Sequence, residues 1–135
     1  MPDKLSFGKT FYALEKAISI AQQRNAVITS NISNLDTPGY KSKDINFKSE
    51  LAKALETDHQ KGLVRTNPRH ISTQMNGEQM IEPYEEQGEW NGYNWANIDS
   101  EMTKLTENNL VYRTAVEALL RKMSLLKEVI REGGR

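Results

Sequence analysis

Residues 11–41, FYALEKAISIAQQRNAVITSNISNLDTPGYK, decide the fold. Phe11, Leu14, Ile18, Ala21, Asn25, Ile28, Ile32 and Leu35 recur at alternating spacings of three and four. That is the period of one helix face, and of a coiled-coil seam in particular. It predicts a helix over residues 10–35. Asn25 is the one polar member of the seam. It is either a device that fixes register at some loss of stability or a tolerated interior amide. The helix then meets Thr37-Pro38-Gly39. Pro38 removes an N–H and pushes Thr37 out of the helical region, and Gly39 can take φ > 0, so a sharp bend is expected there. Beside the main seam runs a second: Ala13, Ala17, Ile20, Arg24, Val27 and Asn31. It is displaced by one residue, about 100° around the helix. Two adjacent seams are more than a single partner helix covers. Residues 1–9 are polar and read as a frayed end, with Ser6 or Thr10 as the cap.

The same double pattern recurs near the other end. Ile98, Met102, Leu105, Asn109, Tyr112, Val116, Leu119, Met123, Leu126 and Ile130 alternate fours and threes, again with an Asn inside. Val111, Ala115, Ala118, Lys122, Leu125 and Val129 form the seam beside it. A helix over 98–131 follows, capped by Asn97 or Asp99. Glu117 and Arg121 are oriented for an i,i+4 pair. Lys127 and Arg131 suit the C-terminal dipole, and Gly133-Gly134 ends the helix. The chain after Gly39 is long enough for this helix to return beside the first. The terminal helices are therefore expected to pair within one subunit, with Asn25 and Asn109 facing polar groups, since an unpartnered buried amide costs about 1–3 kcal/mol.

Between them the character changes. Phe47, Leu51, Ala54 and Leu55 predict a short amphipathic helix over 47–55, one that needs tertiary support. Residues 57–96 hold four of the eight glycines and two of the four prolines, without sustained period. Local alternation at 63–65 and 70–73 could form short strands around Asn67-Pro68, and Asn76-Gly77 and Asn91-Gly92 are turn signals. The stretch is expected to be mobile or ordered mainly by neighbours. The whole is a mainly α chain of one structural domain, divided into 1–41 (helix and turn), 42–96 (irregular middle) and 97–135 (helix).

Composition narrows the function. At 135 residues, zero net charge and 27% charged residues, the chain has no basic footprint for nucleic acid. Hydrophobic residues make up 37%, below the usual share of about 45–50%, and they concentrate in the two terminal segments, so a self-sufficient core is not expected. Without cysteine there is no disulfide framework, thiolate metal site or Cys nucleophile. Residues 1–10 lack the apolar region of a secretory signal, and no stretch has the length of a membrane span. If the protein leaves the cytoplasm, it is expected to do so without a cleaved Sec-type signal.

Motifs of catalysis are missing: there is no nucleophile elbow, phosphate loop, dinucleotide fingerprint or HExxH. His59 and His70 have no ligand spacing and read as surface residues. Glu82, Glu85, Glu86 and Glu89 could pass for a catalytic cluster, but no base or pocket accompanies them in sequence, and a solvated acidic patch is the plainer reading. Met102 and Met123 read as seam filler. Trp90, Tyr93 and Trp95 stand within six residues. They either anchor a partner or cover the end of the helical core. No enzyme, cofactor, metal or small-molecule substrate is expected.

Residues 26–41, AVITSNISNLDTPGYK, resemble the N-terminal motif of bacterial flagellar rod and hook proteins, a helix closing on N-[IL]-[AS]-N ahead of T-P-G-Y-[KR]. Asn97-Ile98-Asp99-Ser100-Glu101-Met102, followed by Leu105, Asn108, Tyr112 and Leu119-Leu120, looks like the matching C-terminal helix. The chain is too short for the inserted middle domain of hook and distal rod proteins, so it is most similar to the short, proximal rod proteins. The segments ENNLVY at 107–112 and LKEVIREGG at 126–134 agree with this. One departure lies at 91–97, NGYNWAN, which is longer and more aromatic than the Asp-Gly-Asn turn usual in such chains.

The resemblance implies a structural subunit of the flagellar basal body, exported through the flagellar type III apparatus without signal cleavage. It would polymerise in the periplasm with copies of itself and other rod proteins, beside the membrane-ring and rod-adaptor proteins. The terminal helices would line the inner tube and the middle would face outward. The expected assembly seam comprises Leu14, Ile18, Asn25, Ile28, Ile32, Leu35, Met102, Leu105, Asn109, Tyr112, Val116 and Leu119, with Pro38 and Gly39 as the turn. A reading from another class is a soluble coiled-coil adaptor whose mobile middle binds a partner. A weaker one is an enzyme using the acidic loop.

Overall fold

Two long helices lie side by side in opposite directions in the computed structural model, which describes residues 4–60 and 80–134. In chain order the elements are α1 (Lys4–Ser33), β1 (Lys43–Asp44), α2 (Phe47–Gln60), β2 (Tyr84–Glu85) and α3 (Ile98–Gly133). The fold is mainly α, as the periodicities predict. The antiparallel sense follows from two cross-links at opposite ends. Asn31, near the end of α1, bonds Glu101 in the first turn of α3, and Lys122 of α3 lies over the ring of Phe7 near the start of α1.

The helix ends differ somewhat from expectation. α1 begins at Lys4 rather than near Thr10, and the Lys122 ammonium 4.2 Å from the Phe7 ring centroid helps to hold this added stretch of helix. At its other end the Asn34 side chain donates to the Ser30 carbonyl, and the chain leaves the helix at Ser33. Asn46 caps α2 through its bond to the Ser49 N–H, and that helix runs on to Gln60, beyond the expected 47–55. Asn97 caps α3: its side chain accepts from the N–H groups of Asp99 and Ser100.

The strands are two residues each and antiparallel, pairing Lys43 with Glu85 and Asp44 with Tyr84. The strands expected at 63–65 and 70–73 lie outside the described residues, as do the side chains of His59 and His70.

The core is thin. Among the described residues the buried apolar side chains are Ala17, Ile20, Ala21, Ile28, Ile45, Ala96 and Ala115. Four of these seven are alanines, which bury little area each. The two helices therefore depend on polar ties to fix how they meet.

Candidate functional site

Those ties gather where the end of α1, the start of α3 and the β1–β2 ribbon converge. Asn31 is fully buried and uses both ends of its amide. Its Nδ2 donates to the Lys43 carbonyl at 2.7 Å and to Glu101 Oε2 at 2.8 Å, while its Oδ1 accepts from the Tyr40 hydroxyl and the Lys43 N–H, both at 3.0 Å. Glu101, 1% exposed, passes its other oxygen to Lys104 Nζ at 2.8 Å, and Lys104 also bonds Glu86. One amide thus joins two helices and the strand ribbon.

A second tie lies about two turns back along the same face of α1. Arg24 grips Asp44 with two bonds of 2.8 Å, and Asp44 Oδ1 also accepts from the Ile45 N–H. Burial works against charge on Asp44. The Arg24 hydrogen bonds, the Ile45 N–H and the nearby charges of Arg24 and Lys104 outweigh it and hold the carboxyl below its ordinary value of 3.8. Burial likewise opposes the Lys104 ammonium, but its bonds to Glu101 and Glu86 lift its pKa above the usual lysine value. Buried charges are tolerable only when paired this fully.

The turn after α1 is closed by the loop that precedes α3. Gly39 takes φ +69° and its N–H donates to the Tyr93 carbonyl. The Tyr93 hydroxyl reaches the Asp36 carbonyl at 2.8 Å, and buried Asn94 donates to the Leu35 carbonyl. Asn91 folds this loop on itself by accepting from the N–H groups of Tyr93 and Asn94. The unusual NGYNWAN segment is therefore the clasp on the Thr-Pro-Gly turn. Trp90 and Trp95 pair beside it, with ring centroids 4.4 Å apart. Trp95 is half-buried and Trp90 exposed, so the cluster both covers the end of the helical core and presents a face outward. Gly88 is the close approach that permits this, since a Cβ there would collide with the Trp95 carbonyl oxygen.

The expected seam residues divide by helix. On α1, Ile28 is buried, and Leu14, Ile18, Asn25 and Ile32 are half-buried, as is Leu35 just beyond the helix. On α3, Leu105, Tyr112, Val116 and Leu119 are half-buried, whereas Met102 and Asn109 are exposed. Pro38 and Gly39 are exposed in the turn.

Of the two amides expected to face polar groups, Asn25 meets one and Asn109 does not. Asn25 accepts from Thr29 on its own helix, and Asn109 faces out. The buried amides are instead Asn31 and Asn108, whose Nδ2 donates to the Ala21 carbonyl at 2.8 Å. The inner face of α3 is centred on Glu101, Asn108 and Ala115, close to the second seam rather than the first. The sequence did carry a signal. Arg24, Asn31 and Lys122 are the polar members of the two second seams, and each reaches across to another element: Asp44, Glu101 and Phe7. Glu101 and Lys104 carried no such mark, since an acidic residue in a first turn reads as a dipole partner.

α3 leaves much apolar surface uncovered. Leu110, Leu120, Met123, Leu125, Leu126, Val129 and Ile130 are all exposed. Among the described residues no helix is long and apolar enough to cross a membrane, and no group of His, Cys, Asp and Glu is arranged to hold a metal ion.

Residues 11–41 match the family described as flagella basal body rod protein. A flagellar basal body rod protein FlgB of Bacillus subtilis is 33% identical over 129 residues, covering 94% of this chain and 97% of the relative. The FlgB of Aeromonas hydrophila is 32% identical over 94% of this chain and 96% of its own. That of Escherichia coli is 31% identical over 98% and 99% respectively.

Proposed function

The chain belongs to the flagellar basal body rod protein family, as a structural subunit of the rod, and from that premise we propose that it polymerises through its terminal helices into the proximal section of the tubular drive shaft. Its partners are further copies of itself and other rod proteins, beside the membrane ring and its adaptor, after delivery by the flagellar export apparatus. The observation that carries the polymerisation is the exposed apolar surface of α3. Leu120, Leu125, Val129 and Ile130 are each 60% exposed or more, a run of large apolar side chains that a monomer would leave in water. The pairing of α1 with α3 covers one face only, and copies packed around it would cover the rest.

An assembly experiment tests this. Purified chain mixed with the other rod subunits should give tubular polymers by electron microscopy. The double variant Leu126→Asp, Ile130→Asp should keep its helical circular dichroism but fail to enter them. A small closed oligomer, unchanged by these substitutions, would favour a soluble adaptor instead.

A further inference from the structure

The two ends of the helix pair are unlike, and they are complementary. At one end α3 outruns α1. Lys122 stands over Phe7, after which α1 has only Lys4–Ser6 left, whereas α3 continues to Gly133. The excess is about eight residues, roughly 12 Å of helix at 1.5 Å per residue. Every residue from Met123 to Gly134 is exposed. Along this overhang and the turn before it, Met123, Leu125, Leu126, Val129 and Ile130 form one apolar stripe at helical spacing, and Lys127 and Arg131, one turn apart, border it along one edge.

At the opposite end lies a groove of about 620 Å³, a volume in the range of sites that bury a few side chains. Leu35, Trp90, Trp95 and Ile98 supply its apolar lining, and both Trp90 and Ile98 are exposed. Its charged lining consists of three carboxylates, Glu86, Glu89 and Glu101, against the single ammonium of Lys104. Ser42 also lines it, 3% exposed, with its hydroxyl buried and without a hydrogen-bond partner among the described residues. Buried hydroxyls are seldom left so, and one on a residue of the groove wall points to a partner that reaches it when the groove is filled.

We infer that the α3 overhang of one copy docks into the Trp90–Ser42 groove of the next copy, a head-to-tail contact between opposite ends of the same chain. The inference rests on the reading of the chain as a polymerising subunit and names the contact that propagates it. The apolar stripe covers Trp90 and Ile98. Lys127 or Arg131 meets Glu86 and Glu89, and an incoming N–H donor satisfies the Ser42 hydroxyl. A cation beside an exposed indole gains further from the ring face. Because groove and overhang are different surfaces, the contact is heterologous and does not close on itself as a two-fold dimer does.

The absence of cysteine makes a direct test available. Chains carrying Glu89→Cys are mixed with chains carrying Ile130→Cys, in the full-length protein together with the other rod subunits, and oxidised. The disulfide joining position 89 of one copy to position 130 of another should form several-fold more than one between Lys48→Cys and Ile130→Cys, since Lys48, on α2, is not among the residues that line the groove. Charge exchange gives a second readout: Glu89→Arg should weaken incorporation several-fold, and Lys127→Glu with Arg131→Glu in the neighbouring copy should restore it. Polymers that form normally while 89–130 crosslinks stay at the 48–130 level would overturn this contact and leave the rod reading intact. Failure to form polymers at all would instead overturn the reading on which it rests. Protection of Trp90 by added glycan or unrelated peptide, with no such crosslink, would likewise overturn the contact.

Discussion

Asn31 Nδ2 stands 2.8 Å from Glu101 Oε2, a buried bond between residues 70 apart that ties the last turn of α1 to the first turn of α3. Glu101 is the more consequential partner, because it is a carboxylate with 1% exposure held by Asn31 and Lys104. Replacing it by Leu leaves Lys104 with Glu86 and strips one acceptor from Asn31. Breaking a buried pair by deleting one partner costs about 3–5 kcal/mol, and the surviving Glu86 contact places this case near the lower figure. Glu101→Gln, which keeps an acceptor for Asn31, should lose less. Urea unfolding of the two variants checks the order; equal losses would show that the charge, not the acceptor, matters.

This node marks where sequence and structure diverge. The long helices, their double seams and the bend at Gly39 are legible because periodicity and backbone restriction are local. Which of two adjacent seams faces the partner is not local, since they differ by a rotation of one residue. Hence Asn108 lies inside and Asn109 outside, although Asn109 completes the more regular apolar series. The pairing of Arg24 with Asp44 depends on where a two-residue strand lands, which no propensity specifies. The clasp at 91–97 could be seen as unusual, but its bonds to Leu35 and Asp36 span nearly sixty residues.

Asp44 makes stability depend on acid. Its folded pKa lies below the ordinary 3.8, so the folded state binds its proton less readily than the unfolded chain. The contribution is therefore complete above about pH 3.8 and disappears as pH falls through the lower, folded value. Asp44→Asn should flatten that part of the profile while lowering stability at neutral pH. Denaturation midpoints from pH 6 downward, in wild type and variant, give the comparison. An unchanged acid slope would mean that other carboxylates carry it.

Asn108 and Asn109 offer a matched pair. Asn108 Oδ1 is buried without a partner among the described residues, whereas its Nδ2 bonds the Ala21 carbonyl. Asn108→Leu removes the unmet acceptor together with the tie, so net stability should move by less than about 1 kcal/mol in either direction. The loss should appear as register heterogeneity, with doubled amide resonances along the α1–α3 contact. Asn109→Leu, at an exposed position, should stay within about 0.5 kcal/mol and show single resonances. Reversed behaviour would restore Asn109 to the inner face.

Two glycines are required for different reasons. Gly39 has room for a Cβ but sits at φ +69°, so Gly39→Val should cost more than about 1 kcal/mol through backbone strain alone. Gly88 has no positive φ but a blocked Cβ position against the Trp95 carbonyl. Gly88→Ala should push the loop outward and separate Trp90 from Trp95, changing the indole fluorescence even where global stability holds. If the spectrum is unaltered, the neighbouring backbone yields more easily than the contact implies.

Hydrogen exchange should grade the helix pair along its length. The buried residues of α3 end at Ala115, Lys122 still meets the Phe7 ring, and everything from Met123 to Gly134 is exposed. An isolated helix shorter than about 12–15 residues is marginal in water, and the overhang is shorter than that. In dilute monomer, amides at 101–118 and 17–31 should therefore exchange slowest, with protection falling steeply after Lys122. Assembly with rod partners should raise protection of 123–133 more than of 101–118, because only the former gains a covering surface. Uniform slow exchange to Gly133 in a proven monomer would mean that α3 holds itself without neighbours, and the dependence of this subunit on its copies would lose its physical basis.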